Sequence, residues 1–168
     1  MTNEKTIKSF ISAYESYIQK GGWRNSASII SHSHLIITGS TSEERMELIR
    51  SMYNSLYLSG VLNKMGITIV YADELNGKTE DDIMSYIREQ VSEATDGVLL
   101  IENANKLSLF ALDCVVRQIE NNKDKLLFIL AGNNPQMNDF MKANPAISRR
   151  FLYYLDLEGS NVQEGMNP

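Results

Sequence analysis

Apolar residues along the chain follow two different spacings, and the two spacings alternate. Steps of three and four residues between apolar side chains predict amphipathic helices, whereas short unbroken apolar runs predict buried strands. The predicted helices cover residues 5–20, 43–58, 80–94, 109–120 and 137–142. The predicted strands cover residues 33–38, 67–71, 97–101, 125–131 and 151–157. Strands that alternate with helices predict a parallel sheet with right-handed crossovers, and hence a three-layer α/β fold that carries an additional N-terminal helix.

The same pattern predicts one globular domain followed by a short tail. A chain of 168 residues with 43% hydrophobic and 22% charged residues is long enough to bury one sizeable core. The domain is expected to span residues 1–157, with the N-terminal helix in 1–22 and the core in 33–157. Residues 158–168 are polar and show no periodicity, so we expect them to fray.

Charge and cysteine content disfavour several classes of protein. The net charge of -5 argues against an extended nucleic-acid surface, because neutralising phosphates requires clustered Lys and Arg. No run approaches the roughly 18 apolar residues that a membrane span needs, which favours a cytoplasmic protein. The single cysteine, Cys114, lies in an apolar-periodic stretch without a neighbouring His, and is interpreted as a buried small hydrophobic residue rather than a nucleophile.

Three short runs carry the positions with candidate chemistry: Leu-Ile-Ile-Thr-Gly at 35–39, Gly-Val-Leu-Leu-Ile-Glu at 97–102, and Asn-Pro-Ala-Ile-Ser-Arg-Arg-Phe at 144–151. Their order and wording resemble the AAA+ ATPases of the CbbX/SpoVK type, over roughly residues 30–157. Those proteins read G-x-P-G-T-G-K-T, G-V-L-F-I-D-E-A and N-P-G-L-x-S-R-F at the three places. The resemblance implies the large subdomain of a P-loop NTPase. The residues after 157 are too few for the helical lid that follows this subdomain in the family.

The phosphate-binding loop departs from the family motif. A P-loop works because its glycines let backbone N–H groups approach the phosphates, its Lys reaches them, and its Ser or Thr holds Mg²⁺. Alignment on Gly39 puts Ser42 and Glu44 at two glycine positions. It puts Arg45 at the lysine position and Met46 at the magnesium-ligand position. The resemblance therefore implies a degenerate nucleotide site.

Two interpretations of this loop remain open. Thr41 or Ser42 with Glu43 or Glu44 forms a plausible helix cap, and acidic side chains there occupy the potential that an anion would use. On this interpretation the segment is an ordinary capped helix after a strand. The alternative is weak phosphate binding through Arg45.

The catalytic acid and the polar sensor are also altered or ambiguous. The family has an Asp that positions Mg²⁺ and then a Glu that activates water, whereas this chain has Glu102 and Asn103. Glu102 could reach a metal, but Asn103 cannot accept a proton and is also a common turn former. Asn133, followed by Asn134, lies at the sensor position, although Asn-Asn-Pro is also a common loop. Hydrolysis of ATP is therefore not expected.

Two further motifs have a functional and a plain interpretation. Arg150 occupies the place of the family arginine that, in a ring, reaches into the neighbour's ATP site. Arg149 departs from the family Ser, and an arginine pair near a strand is also typical of a solvated edge. The run Gly77-Lys78-Thr79 spells the end of a P-loop but does not follow a buried strand, so we interpret it as a surface turn. The resemblance offers a pore-facing loop as the alternative.

The positions that would serve the chain's own nucleotide are changed, while the arginine that would serve a neighbour is kept. This asymmetry favours a catalytically inactive AAA+-like domain that acts as an interaction or regulatory module. Its expected partner is a protein, either an active AAA+ paralogue or a second copy, and we expect no bound cofactor or metal. One alternative is a degenerate protein that binds ATP weakly or hydrolyses it slowly through Arg45 and Glu102. Another is a DNA replication accessory protein, which the acidic charge disfavours. Trp23 is expected to pack the N-terminal helix onto the sheet, with a partner interface as the alternative.

Overall fold

The computed structural model describes residues 2–19, 25–39, 41–158 and 161–164. Seven α-helices lie in these ranges: α1 Thr2–Gln19, α2 Ser26–Ser31, α3 Ser42–Leu58, α4 Glu80–Ala94, α5 Leu109–Asn122, α6 Gln136–Ala143 and α7 Pro145–Ser148. The six strands are β1 Leu35–Thr38, β2 Ile67–Tyr71, β3 Val98–Glu102, β4 Leu127–Gly132, β5 Tyr153–Asp156 and β6 Asn161–Glu164. Short 3₁₀ turns at Ala72–Leu75 and Ala104–Lys106 follow β2 and β3.

The strands form one sheet in the order β2-β3-β4-β1-β5-β6. The first five are parallel, and β6 pairs antiparallel with β5. In the register of β3 and β4, Glu102 lies opposite Ala131, while Thr38 of β1 lies opposite Gly132. All five parallel strands therefore end at one edge of the sheet, which we call the carboxyl edge; their starts define the amino edge. The predicted parallel α/β sheet is confirmed.

Two hydrophobic cores lie on opposite faces of the sheet. Successive side chains of a strand point to opposite faces, so Ile36 and Ile37 of β1 enter different cores. Helices α4, α5, α6 and α7 cover the face of Ile36, and helices α1, α2 and α3 cover the face of Ile37. This arrangement explains why β1, β3 and β4 are unbroken apolar runs, since both of their faces are buried. The predicted three layers are confirmed.

Three elements are missing from the sequence prediction: α2, β6 and the four-residue helix α7. Helix α2 has only six residues, and its apolar pair Ile29 and Ile30 is too short a pattern to show a helical period. Strand β6 lies in the segment that we expected to fray. Antiparallel pairing with β5 is made by backbone groups, so a polar sequence can supply it without an apolar pattern.

One side-chain expectation needs correction. Cys114, interpreted from the sequence as a buried hydrophobic residue, is only partly buried and packs at the rim of the α4–α7 core. Tyr153 and Tyr154 lie on opposite faces of β5, and both are buried. Leu58 is 84% exposed because it lies at the last residue of α3.

The buried side chain of His34 fastens the start of β1 to β4. Its Nδ1 accepts the backbone N–H of Phe128 at 3.0 Å, and its Nε2 therefore donates to the carbonyl of Lys123 at 2.8 Å. Burial lowers the pKa of His34 from 6.5 to about 4, so the ring is neutral at physiological pH. This neutral bridge holds β1 and β4 in the register that brings their carboxyl ends together.

Candidate functional site

A cleft of about 850 Å³ opens at the carboxyl edge of the sheet, where β1, β3 and β4 end. Eight of the positions singled out in the sequence line it: Thr41, Ser42, Glu43, Arg45, Met46, Glu102, Asn103 and Asn133. Gly39 joins them through its carbonyl oxygen, which contacts Arg45. In open parallel sheets, ligands bind outside the carboxyl ends of the strands. The fold thus assembles the positions at the place where such sheets bind ligands.

Arg45 lies in the interior of this cleft and is only 2% exposed. It belongs to the first turn of α3, and its guanidinium turns back toward the strand ends. It donates to Glu102 Oε1 at 2.6 Å, to Asn133 Oδ1 at 2.9 Å and to the Gly39 carbonyl at 3.0 Å. Arginine suits this position because its planar guanidinium presents several donors in a fixed geometry. Arg45 therefore connects the ends of β1, β3 and β4.

Glu102 ends β3 and is 7% exposed. Its carboxylate forms a buried ion pair with Arg45, so the acid at the family's metal-binding position is held by a cation of the same chain. Removing either partner of such a pair leaves an uncompensated charge in a poorly solvated place. No local pattern predicts this pair, because its members lie 57 positions apart in the chain.

Asn103 leaves the strand in the left-handed region, with φ of 57°. This backbone conformation favours Asn over most other residues with a side chain, so the turn-forming interpretation is confirmed. Its Nδ2 lies 3.4 Å from Asp73 Oδ1, in the turn that follows β2. Of these two adjacent residues, Glu102 at the end of β3 thus contacts Arg45, and Asn103 contacts the neighbouring turn.

The start of α3 is capped by its own side chains. Thr41 Oγ1 accepts the backbone N–H of Glu44 at 3.1 Å, which identifies Thr41 as the N-cap and Ser42 as the first helical residue. Glu43 is exposed in the first turn, where a negative charge is favourable for the helix. Met46 is half-buried and packs against the core beneath α3. The capped-helix interpretation is confirmed for Thr41.

A second polar cluster beside the cleft was not predicted. Asn134 Nδ2 donates to Thr38 Oγ1 at 2.9 Å, and Thr38 in turn donates to the Tyr154 hydroxyl at 3.3 Å. The Tyr154 hydroxyl donates to Asn138, and burial raises the pKa of Tyr154 above 10.0. A threonine at the end of an otherwise apolar strand was the available signal. The cluster ties β1, β5 and α6 together.

Arg150 does not join the cleft and lies at the amino edge of the sheet. Its guanidinium pairs with Glu120 of α5 and donates to the carbonyl of Ala146. Together with Arg149, Lys123 and His34 it lines a separate cleft of about 450 Å³. The structure therefore separates the arginine that the resemblance assigns to a neighbour from the positions assigned to the chain's own nucleotide.

The Gly77-Lys78-Thr79 run forms an exposed turn, as predicted. Gly77 has φ of +82°, and Thr79 is the N-cap of α4 through a bond from the N–H of Asp82 to its Oγ1 at 3.2 Å. Trp23, by contrast, lies outside the described residues. Among the side chains that the structure does describe, no group of three or more His, Cys, Asp and Glu is placed to hold a metal ion. None of the described helices is long and apolar enough to cross a membrane.

Several known proteins are similar to this chain in sequence. No family model matches the chain. A CfxQ homolog of Galdieria sulphuraria is 27% identical over 140 residues, which cover 78% of this chain and 46% of that protein. The chromosomal CbxX protein of Cupriavidus necator is 26% identical over 140 residues, covering 78% of this chain and 44% of that protein. The chain thus spans about half the length of these relatives.

The fold is similar to that of a solved motor protein. The RuvB Holliday junction branch migration motor of Thermotoga maritima superposes on 90% of this chain, and on 44% of its own, with a TM-score of 0.55. Sequence identity there is 15%, so this likeness concerns the fold alone. The parallel strand order β2-β3-β4-β1-β5 is that of the AAA+ large subdomain. The chain thus shares its fold with this motor and is similar in sequence to the CfxQ and CbxX proteins.

Proposed function

We propose that this domain is catalytically silent toward ATP and acts through protein contacts, as an interaction or regulatory module. One observation carries the proposal: the cation at the lysine position, Arg45, is buried and bonded to Glu102, Asn133 and the Gly39 carbonyl. In a working site the corresponding cation would face a phosphate. In this domain the guanidinium of Arg45 bonds to protein oxygens instead.

The energetics of the pair oppose its use for phosphate. Turning Arg45 toward a ligand would strip Glu102 of its counter-ion, and breaking a buried pair costs about 3–5 kcal/mol. A phosphate would also bring negative charge toward the Glu102 carboxylate. Nucleotide binding through Arg45 must therefore offset the free energy lost when the pair of Arg45 and Glu102 breaks.

The remaining residues do not fit Mg²⁺ and ATP either. Met46 offers a thioether, whereas Mg²⁺ prefers oxygen ligands in a strict octahedral arrangement. Asn103 cannot accept a proton from an attacking water. At the start of α3, Thr41 already bonds the N–H of Glu44, and the exposed Glu43 carboxylate would repel an anion. We therefore derive no hydrolytic step for this site.

One observation favours a second candidate, a weak nucleotide-binding protein. The cleft of about 850 Å³ lies within the size range of roughly 300–1,000 Å³ that is usual for small-molecule sites. Its lining includes the exposed Arg50 as well as Arg45. A negatively charged ligand can therefore pair with Arg50 without breaking the pair of Arg45 and Glu102. This candidate predicts binding without the Arg45 contact.

Thermal melting with and without an excess of ATP and Mg²⁺, and separately with ADP, tests the proposal. A ligand at 100 times its dissociation constant adds about 2.7 kcal/mol, which raises the melting temperature of a domain of this size by about 5–10 °C. We expect no shift. Tripolyphosphate at matched ionic strength is the control for non-specific anion stabilisation. A saturable rise with ATP that tripolyphosphate does not reproduce contradicts the proposed silence, and its loss in Arg50→Ala would assign binding to the second candidate.

The position of Arg150 supports the second half of the proposal. Its ion pair with Glu120 holds the side chain at the amino edge, away from the chain's own cleft. Because Glu120 is half exposed, this ion pair is weaker than the buried pair of Arg45, and a carboxylate or phosphate of a neighbouring protein could compete for Arg150. We propose that the partner is either an active AAA+ protein, which would receive Arg150, or another copy of this chain.

A further inference from the structure

The cleft of about 450 Å³ at the amino edge is basic, although the chain as a whole carries a net charge of -5. It lies between the end of α2, the start of β1, the end of α5 and the turn before β5. Its charged lining consists of Lys123, Arg149, Arg150 and Glu120. Because Glu120 pairs with Arg150, the positive charges of Lys123 and Arg149 are left over. Both of these side chains are exposed, and neither forms an ion pair within the described part of the chain.

One helix start at the carboxyl edge carries the opposite charge. The first turn of α4 contains three consecutive acids, Glu80, Asp81 and Asp82, and all three are exposed. Across the ranges that the structure covers, none of the three carboxylates forms an ion pair. Thr79 caps this turn, so the acids stand on a regular helix start that directly follows an exposed turn. The acidic turn is thus an exposed, capped helix start whose carboxylates form no ion pair within the described ranges.

The two features cannot meet within one molecule. Strand β3, which separates the two edges, has five residues, and a strand of this length spans about 17 Å. A contact between the basic cleft and an acidic turn must therefore join two molecules. Since the two surfaces differ, such a contact is heterologous: it leaves one free copy of each surface and can continue to a further molecule.

We propose that the basic cleft at the amino edge is a docking site for the acidic first turn of α4 of a second copy of this chain. Charge complementarity is the argument, because each molecule carries both unneutralised partners on opposite edges. The contact needs no nucleotide between the molecules. It rests on the proposed function in one respect, namely that the chain acts through protein contacts.

The test measures the mass of the assembly by sedimentation velocity at about 0.01 M and about 1 M salt, where the Debye length falls from about 30 Å to about 3 Å. We expect wild-type protein to exceed the monomer mass at low salt, increasingly so at higher protein concentration, and to return to the monomer at high salt. A wild-type protein that stays monomeric at low salt overturns the proposal.

Two charge-reversal variants make the test specific. Lys123→Glu/Arg149→Glu removes the basic surface and keeps the acidic turn, whereas Glu80→Lys/Asp81→Lys does the reverse. Each variant alone is expected to be monomeric, because its cleft and its α4 turn carry charge of the same sign. An equimolar mixture is expected to assemble, since the native contact is restored and the two reversed surfaces are also complementary. If either variant alone assembles as the wild type does, or if the mixture stays monomeric while circular dichroism shows both variants folded, the proposal is wrong.

The acidic residue Glu43 provides the matched control. It is exposed in the first turn of another helix at the same edge, so Glu43→Lys changes the charge of the edge without altering α4. We expect this variant to assemble like the wild type, and a loss as complete as that of the α4 variant would overturn the assignment to α4. The result is independent of nucleotide: an assembling chain that binds ATP refutes only the proposed silence, and a monomer that ignores ATP refutes only the docking site.

Discussion

At the scale of single residues, the buried pair of Arg45 and Glu102 is the feature that sets this site apart. The two side chains are 2% and 9% exposed and lie 2.6 Å apart. Such a pair contributes little net stability compared with apolar residues of the same size, yet losing one partner is costly because the other charge stays buried. The pair therefore acts as a constraint on the ends of β1, β3 and β4 more than as a source of stability.

A double-mutant cycle tests this constraint. Arg45→Met and Glu102→Leu are each expected to lower the free energy of unfolding by about 3–5 kcal/mol, and the double variant is expected to lose much less than the sum. Denaturant unfolding measures all four proteins. The exposed pair of Lys64 and Glu93, 3.2 Å apart, is the control, and Lys64→Met should cost no more than about 1 kcal/mol. Additive losses in the Arg45 and Glu102 cycle would show that the two side chains are not coupled.

The free energy of unfolding depends on pH through His34, and the sign of this dependence follows from the lowered pKa of the ring. Burial lowers its pKa from 6.5 to about 4, so the folded state binds fewer protons than the unfolded state between these values. The contribution of the neutral ring is complete above pH 6.5 and is lost as the pH falls toward 4, by about 3 kcal/mol in total. Unfolding free energies measured over this range should show the loss in wild type and a weaker one in His34→Gln. An identical pH profile in wild type and His34→Gln would contradict the assignment.

At the scale of elements, the turn from β1 into α3 shows what the sequence can predict. Gly39, the Thr41 cap and the bounds of α3 follow from local rules on turns and helix starts. The conformation of Arg45 does not, because it depends on Glu102 and Asn133, which lie 57 and 88 positions away. Local chemistry therefore predicted where the loop lies and that it is capped, and tertiary contacts decide where its cation points.

Position 39 requires a glycine for a steric reason that the sequence alone does not show. Its φ is +83°, and a Cβ at this position would lie 2.7 Å from Asp156 Oδ1 and 2.9 Å from Glu158 Cγ. Gly39→Ala should therefore lose more stability than the roughly 1–2 kcal/mol that a left-handed backbone alone costs. Gly77→Ala is the control, since Gly77 has φ of +82° with no atom within 4 Å of the added Cβ. Equal losses in the two variants, measured by denaturant unfolding, would show that the contact with Asp156 and Glu158 has no energetic effect.

At the scale of the whole molecule, the sheet separates two sets of charged groups. The cleft around Arg45 and the acidic turn of α4 lie at the carboxyl edge, and the basic cleft with Arg150 lies at the amino edge. The unbroken runs of β1, β3 and β4 were sufficient to predict the parallel sheet, because only strands covered on both faces need such runs. Strand β6 was not predicted, since its backbone pairing leaves no apolar signature. The acidic turn and the basic cleft lie at opposite edges because of the strand topology, which the linear sequence does not show.

The most direct test of the account is to observe the Arg45 guanidinium itself in the presence of ATP and Mg²⁺. Nitrogen NMR of the arginine side chains reports whether the two Nη groups are held and whether their environment changes. We expect the Nη groups of Arg45 to rotate slowly in the wild type and to rotate fast in Glu102→Gln, where the ion pair is lost. We expect their chemical shifts in the wild type to stay unchanged when millimolar ATP and Mg²⁺ are added. Signals that shift and saturate with ATP would show that Arg45 exchanges its protein partners for phosphate, and would contradict the proposal that this site is silent.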